Sequence, residues 1–170
     1  MKKTYSGKYH VKHPEKYKGD AKKVFYRSMW ERDCFVWLDE HARDIEWWNS
    51  EEFFVRYYYE VDKKYHRYFI DLAIKWKDKG VTLVEVKPKR QTKPPRVKTP
   101  KTKQQLTEAF TWVRNQSKWE AANEFAKDNG WKFVIWTEDD LKNMGILKTE
   151  PGKLNKLPGM RPYRKKRQRR

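Results

Sequence analysis

The order of local patterns along the chain predicts an α/β (α+β) domain, in which a helix, three antiparallel strands, a long helix and a fourth strand build a mixed four-stranded sheet flanked by helices. Three observations predict it. Ser28 with Glu31 makes a Ser-x-x-Glu capping box ahead of Trp30, Cys34, Trp37, Leu38 and His41 at helical spacing. Two β-rich runs, Tyr65 to Trp76 and Val81 to Val86, are separated by a polar break that ends in Gly80 and read as adjacent antiparallel strands. A long helical stretch over about 101–129 then precedes a short apolar run centred on Val134 and Ile135.

Residues 1–27 are rich in Lys and Tyr and punctuated by Gly7, Pro14 and Gly19, which predicts a basic arm that packs its tyrosines onto the domain. The first helix spans about 28–43. Phe53 to Tyr59, aromatic and β-branched, is the first strand, and the runs through Asp71 and Glu85 complete a three-stranded meander. From Lys87 to Lys103 there are eight Lys or Arg, no acid, and prolines at 88, 94, 95 and 100, a composition that no sheet interior accepts. It predicts an extended basic loop over 88–103. The long helix follows, with Leu106, Phe110, Val113, Ser117 and Ala121 as its predicted buried stripe and Gly130 just past its C-terminus. Lys132 to Trp136 is the fourth strand, and Thr137 with Asp140 caps a short last helix, so the core ends near residue 145. Residues 146–170 lose periodicity and finish with seven basic residues in ten, which predicts a flexible tail that orders on phosphates.

A length of 170 residues suits one domain with tails. The formal net charge of +18 exceeds what solubility needs and implies a polyanionic partner. No long apolar run, amphipathic anchor or signal-like segment is legible, which argues against a membrane and for nucleic acid. Nine Trp, ten Tyr and eight Phe supply core mass, so this is not a disordered basic tail protein. The single cysteine, Cys34, excludes an internal disulfide and a cysteine-cluster zinc site and predicts a reducing, cytoplasmic compartment. His10 and His13 lack cysteine partners and read as surface histidines in a loop.

The chemistry is concentrated in Asp71 and in Glu85-Val86-Lys87. If the two β-rich runs pair, Asp71 and Glu85 lie side by side, and alternation puts Glu85 and Lys87 on one face. Two neighbouring carboxylates call for a cation between them, and hard oxygen ligands select Mg²⁺, with Mn²⁺ able to substitute. A lysine beside them orients water or neutralises charge developing on a phosphate. Against this stands a bland reading, in which Glu85 and Lys87 are a solvated cross-strand pair. Ile70, Leu72, Ile74, Leu83, Val84 and Val86 make both strands core-like, and charges set in apolar strands usually serve a site.

With Asp71 as the lone acid and Glu85-Val86-Lys87 as the (D/E)XK tripeptide, the αβββαβ order resembles the PD-(D/E)XK nuclease superfamily and its restriction-endonuclease-like core. The resemblance implies catalysis by Asp71, Glu85 and Lys87, with metal held by Asp71, Glu85 and the Val86 carbonyl. In the subset that includes transposase endonuclease subunits and junction resolvases, a first-helix glutamate adds a ligand, and Glu31 stands at that position; it is equally a capping residue closing the helix through the Ser28 amide. His66 parallels an element of the same subset from the opposite strand parity. Asn115, Lys118 and Trp119 are candidates for orienting substrate from the long helix, Trp119 reading also as packing and Lys118 as a phosphate contact.

A closer resemblance runs through Tyr5-x-Gly7, His13-Pro14-Glu15-Lys16-Tyr17-x-Gly19-Asp20, Tyr26-Arg27-Ser28-x-Trp30-Glu31, Trp112-x-x-Asn115-x-x-Lys118-Trp119-x-Ala121-Ala122 and Thr137-Glu138-x-x-Leu141. These motifs are similar to the head-completion nucleases of T-even-type tailed phages. That likeness implies an endonuclease acting on the packaged DNA end before tail attachment, with capsid, portal or neck proteins as partners, in the host cytoplasm during assembly and with retention in the virion as a further expectation. The contacts to DNA are expected from Lys89, Arg90, Lys93, Arg96, Lys98, Lys101 and Lys103 in the loop and from Arg164, Lys165, Lys166 and Arg167 in the tail. Other readings left open are an inert DNA-binding portal protein, an RNA-associated basic protein and a transposase-type endonuclease subunit.

Overall fold

The computed structural model describes residues 5–96 and 102–147. In the N-terminal arm β1 (Gly7–Lys8) pairs antiparallel with β2 (Phe25–Tyr26), and a 3-10 turn over Pro14–Lys16 lies between them. The arm's tyrosines 9, 17 and 26 are buried, and the Tyr17 ring meets Trp48 edge-on at 4.9 Å. Helix α1 (Met29–Glu40) starts at Ser28, whose Oγ accepts the Glu31 amide at 3.2 Å, and buries Cys34, Phe35 and Leu38. The next elements are β3 (Ile45–Asn49), β4 (Phe54–Tyr59), β5 (Lys64–Phe69), β6 (Leu72–Trp76) and β7 (Val81–Val86). After the basic loop come α2 (Lys103–Asp128), β8 (Lys132–Trp136) and α3 (Glu138–Asn143).

The central sheet has the order β3-β6-β7-β8. Its first two pairings are antiparallel and the last, β7 with β8, is parallel, as an α2 crossover between the two strands allows. This is the mixed four-stranded α/β sheet, flanked by helices, that the sequence predicts. Strand parity sorts the core into two layers. Leu72, Ile74, Val84 and Val86 pack with Phe35 and Leu38 of α1, whereas Ala73, Val81 and Leu83 pack with Trp119, Ala122 and Ala126 of α2. Burying each of the larger aliphatic side chains contributes roughly 1.5–3 kcal/mol, so both layers stabilise the sheet.

Four sequence expectations are corrected. The run from Tyr65 to Trp76 is not one strand: it breaks at Ile70 and Asp71, β5 pairing with β4 in a separate hairpin while β6 enters the central sheet. Phe53 to Tyr59 is therefore not the first strand of the meander. Its place is taken by β3, where a register shift between Ile45 and Trp47 blurs the alternation that would have marked it. In α2 the predicted stripe holds only in part: Leu106, Phe110 and Val113 are exposed, Ser117 and Ala121 are half-buried with Ala121 packed on the core, and the buried face carries Asn115, Trp119, Ala122 and Ala126. The reason is that β4 and β5 cover this helix: Tyr57 and Tyr59 share the cluster of Trp119, and the Tyr59 hydroxyl reaches the Phe110 carbonyl. Finally, the basic loop is not wholly extended, since Lys89–Gln91 form a 3-10 turn.

Candidate active site

The β6–β7 ladder ends at the Leu72–Val84 pair, and Asp71, one residue before it, sits beside the next residue of β7, Glu85. The Val86 amide donates to Asp71 Oδ2 at 2.8 Å, which fastens the aspartate across the end of β7. Glu85 is 3% exposed and is bound on both oxygens: Lys87 Nζ lies 2.8 Å from Oε1, and the Tyr68 hydroxyl donates to Oε2. Glu85 and Lys87 thus share a face, as strand alternation requires. The face is the one covered by α2, because Glu85 has the parity of Leu83. The bland reading of a solvated Glu85–Lys87 pair fails here, since the carboxylate is buried.

The electrostatics follow from burial and crowding. Burial, and next the neighbouring Glu85, hold the Asp71 carboxyl well above the usual carboxylate range, while Lys87 and the Val86 amide pull the other way. Burial alone would lower Lys87, yet Glu85, Asp71 and Glu31 around it outweigh that effect and raise its pKa. Tyr68 is pushed up by burial and by the Glu85 charge, so it stays a neutral donor. From α2, Lys118 places its ammonium over the Tyr68 ring at 5.3 Å and the Tyr57 ring at 5.9 Å. Burial lowers its pKa, with Lys87 and Arg114 adding to the shift and Glu85 and Asp71 opposing it. Lys118 therefore belongs to the electrostatic surroundings of the acid pair.

Glu31 caps α1, by a different amide from the one expected. Its Oε2 accepts the Arg27 amide at 2.8 Å and its Oε1 the Ser28 hydroxyl at 3.0 Å. Its charge also acts on Asp71 and Lys87. His66 is not brought to the site: its Nε2 pairs with Asp62 at 2.8 Å in the β4–β5 hairpin, beside the Tyr57 ring. Asn115 is buried on α2, one turn before Lys118. Among the described residues no three Asp, Glu, His or Cys side chains form a ready metal-binding cluster; the sheet itself contributes the Asp71 and Glu85 pair.

Of the expected DNA contacts, Arg90, Lys93 and Arg96 line a groove against α2, and Lys103 is exposed at its first turn. Lys89 differs from expectation. Its amide donates to Glu138 and its ammonium sits 2.6 Å from Asp139, so it ties the loop to α3. Lys98, Lys101, Arg164, Lys165, Lys166 and Arg167 lie outside the described residues.

Residues 42–138, which hold β3 to β8, match the family described as TnsA-like endonuclease N terminal. The chain is also 40% identical over 147 residues to the head completion nuclease of Enterobacteria phage T4, an alignment spanning 84% of this chain and 97% of that protein. The chain belongs to the TnsA-like endonuclease family. No solved structure matches it.

This endonuclease carries further groups at its acid pair that the sequence did not reveal. Tyr68 could have been suspected from its shared parity with the buried Ile70. Glu51 had no local signal. It stands in the left-handed region at φ 55, donates its amide to the Ile70 carbonyl and pairs with Arg27 at 2.6 Å. Burial, and the nearby charges of Glu31 and Glu85, raise its pKa against the pull of Arg27.

Proposed function

We propose that the chain is a divalent-cation-dependent DNA endonuclease that acts in phage head completion, as the name of its T4 relative suggests. The observation that carries the catalytic part is the buried, crowded pair of Asp71 and Glu85 with Lys87 against it. Their hard carboxylate oxygens, with the Val86 carbonyl and Glu31 as further donors, fit Mg²⁺ or Mn²⁺, because a cation held by the acids would offset the burial and the mutual repulsion that raise Asp71. Such an ion supplies Lewis-acid polarisation of the phosphate and a lowered pKa for water. The protein groups do the positioning. Tyr68 and the Val86 amide fix one oxygen each on Glu85 and Asp71, and Lys87 presents a fixed positive charge where a phosphate oxygen gains negative charge. Lys118 adds a second cation from the helix side. Exposed loop cations bring DNA to the site, the long-range attraction scaling with the net charge.

The deciding experiment incubates purified protein with linear, circular and branched DNA, with and without Mg²⁺ or Mn²⁺. Cleavage that requires the metal is expected. DNA binding without any cleavage on all three would favour an inert portal-associated protein and overturn the nuclease reading.

Two smaller effects test the division of labour. Glu31→Gln keeps an acceptor for the Arg27 amide, so it should melt like the parent yet cleave less, whereas Glu31→Ala should lose cleavage and about 1 kcal/mol of stability. Parent-like cleavage by the glutamine variant would leave Glu31 only a cap. Deleting residues 161–170 should flatten the slope of log affinity against log salt by roughly 0.9 per lost phosphate contact on duplex DNA, with turnover at saturating DNA kept. An unchanged slope with lost cleavage would assign the tail to the site or the fold instead.

A further inference from the structure

We propose that the groove between the basic loop and the N-terminal half of α2 holds an unpaired nucleotide of the DNA strand entering the acid pair, so that the protein prefers frayed or single-stranded ends to uninterrupted duplex. The ligand's identity as DNA rests on the nuclease reading above. The groove encloses about 640 Å³, within the roughly 300–1,000 Å³ of sites that bind small organic groups. Its two walls differ. Arg90, Lys93 and Arg96 line the loop wall, and Trp112, Asn115 and Glu108 line the helix wall.

Asn115 supplies the decisive observation. It is 7% exposed, lines the groove, and its side chain bonds to no other described residue, so its amide is left to meet whatever enters the groove. An amide held by the fold at 7% exposure yet open at its polar end is preorganised for an entering group. This one offers a donor and an acceptor side by side, the pattern that reads the edge of a base. Trp112, packed at right angles to Trp119 at 6.2 Å, lines the groove with Asn115 and supplies an aromatic ring on which a base can stack. Glu108, held by Gln104 at 3.1 Å, repels phosphate from the helix wall, which leaves the phosphates to the arginines and lysine opposite. The site is therefore polarised, base to the helix and phosphate to the loop.

Position ties the groove to the catalytic pair. Asn115 and Lys118 lie three residues apart on one face of α2, and Lys118 feels the charges of Glu85 and Asp71. The loop wall begins at Arg90, three residues after Lys87. A strand passing the acid pair thus runs into the groove, where a base stacked and paired in duplex has neither a free face for Trp112 nor a free edge for Asn115.

The test uses the full chain in EDTA with two DNA hairpins of equal length, one blunt and one ending in three unpaired nucleotides that include 2-aminopurine. The frayed hairpin should bind about tenfold tighter, and its 2-aminopurine emission should be quenched by stacking. Asn115→Asp, close in shape, and Trp112→Ala should each bring the frayed hairpin down to the affinity of the blunt one; Trp112→Phe, which keeps a ring, should retain most of the quenching if the alanine variant proves unstable. Equal affinity of the parent for both hairpins, or frayed-end preference untouched in Asn115→Asp, overturns the proposal. Metal-dependent cleavage without end preference would overturn the groove and leave the nuclease reading standing. End preference without cleavage in Mg²⁺ would do the reverse.

Discussion

Glu85→Gln is expected to stop DNA cleavage while the protein stays folded and bound to DNA, and Asp71→Asn should behave alike. Lys87→Ala should also stop cleavage, but with lower stability and weaker DNA binding, because it leaves the buried Glu85 charge unpaired. Glutamine occupies the same space and still accepts the Tyr68 hydroxyl, so the buried site keeps its packing. What it loses is the negative charge that faces Lys87 and that would hold a cation with Asp71. Removing one preorganised charged group from such a centre typically costs ~10²–10³ in rate, and losing a metal ligand adds to that. Affinity for DNA without metal should hold or rise, because one repulsive charge next to the phosphates is gone. Nicking of supercoiled plasmid in Mg²⁺, measured beside metal-free binding and thermal unfolding, checks all three parts. Undiminished nicking by Glu85→Gln would sink the site assignment.

What the sequence revealed of this site was what alternation along one strand determines. Glu85 and Lys87 share a face because the side-chain period is two, and Asp71 follows from the β6–β7 pairing that the polar break ending in Gly80 announces. The Thr137 capping box and the strand over 132–136 were equally local, and both elements fall where the sequence set them. Groups that reach the site through tertiary structure were not legible. Glu51 arrives on a loop whose backbone is set by a hydrogen bond to Ile70 and an ion pair to Arg27, neither of which has a sequence period. The buried face of α2 was misread for the same reason: apolar spacing favoured Leu106, Phe110 and Val113, whereas the aromatic hairpin pressed against the helix buries Asn115 and Trp119. A buried asparagine carries no hydrophobic signal, so the groove it lines was invisible to pattern reading.

The second large effect concerns stability. Asp39→Ala is expected to lower the unfolding free energy by about 3 kcal/mol. Asp39 is 2% exposed and anchors the arm to α1: it accepts the Tyr9 hydroxyl at 2.6 Å and the Lys12 amide at 2.9 Å. Hydrogen bonds to a charged group contribute ~1.5–3 kcal/mol each, and truncation leaves two donors without their acceptor. Burial and the Asp39 charge keep Tyr9 a neutral donor, which makes the pair a one-way hydrogen bond that alanine cannot replace. For a chain of this size the loss corresponds to a melting temperature lower by roughly 6–12 °C, at about 2–4 °C per kcal/mol. Tyr9→Phe removes one of the two bonds and keeps the ring against Phe35 at 5.4 Å, so it should show about half the effect. Asp39 packs in the α1 layer, across the sheet from the buried Glu85 carboxylate, so cleavage measured well below the transition should stay near that of the parent. A melting temperature that does not move in Asp39→Ala would show that the arm is held by its apolar contacts alone.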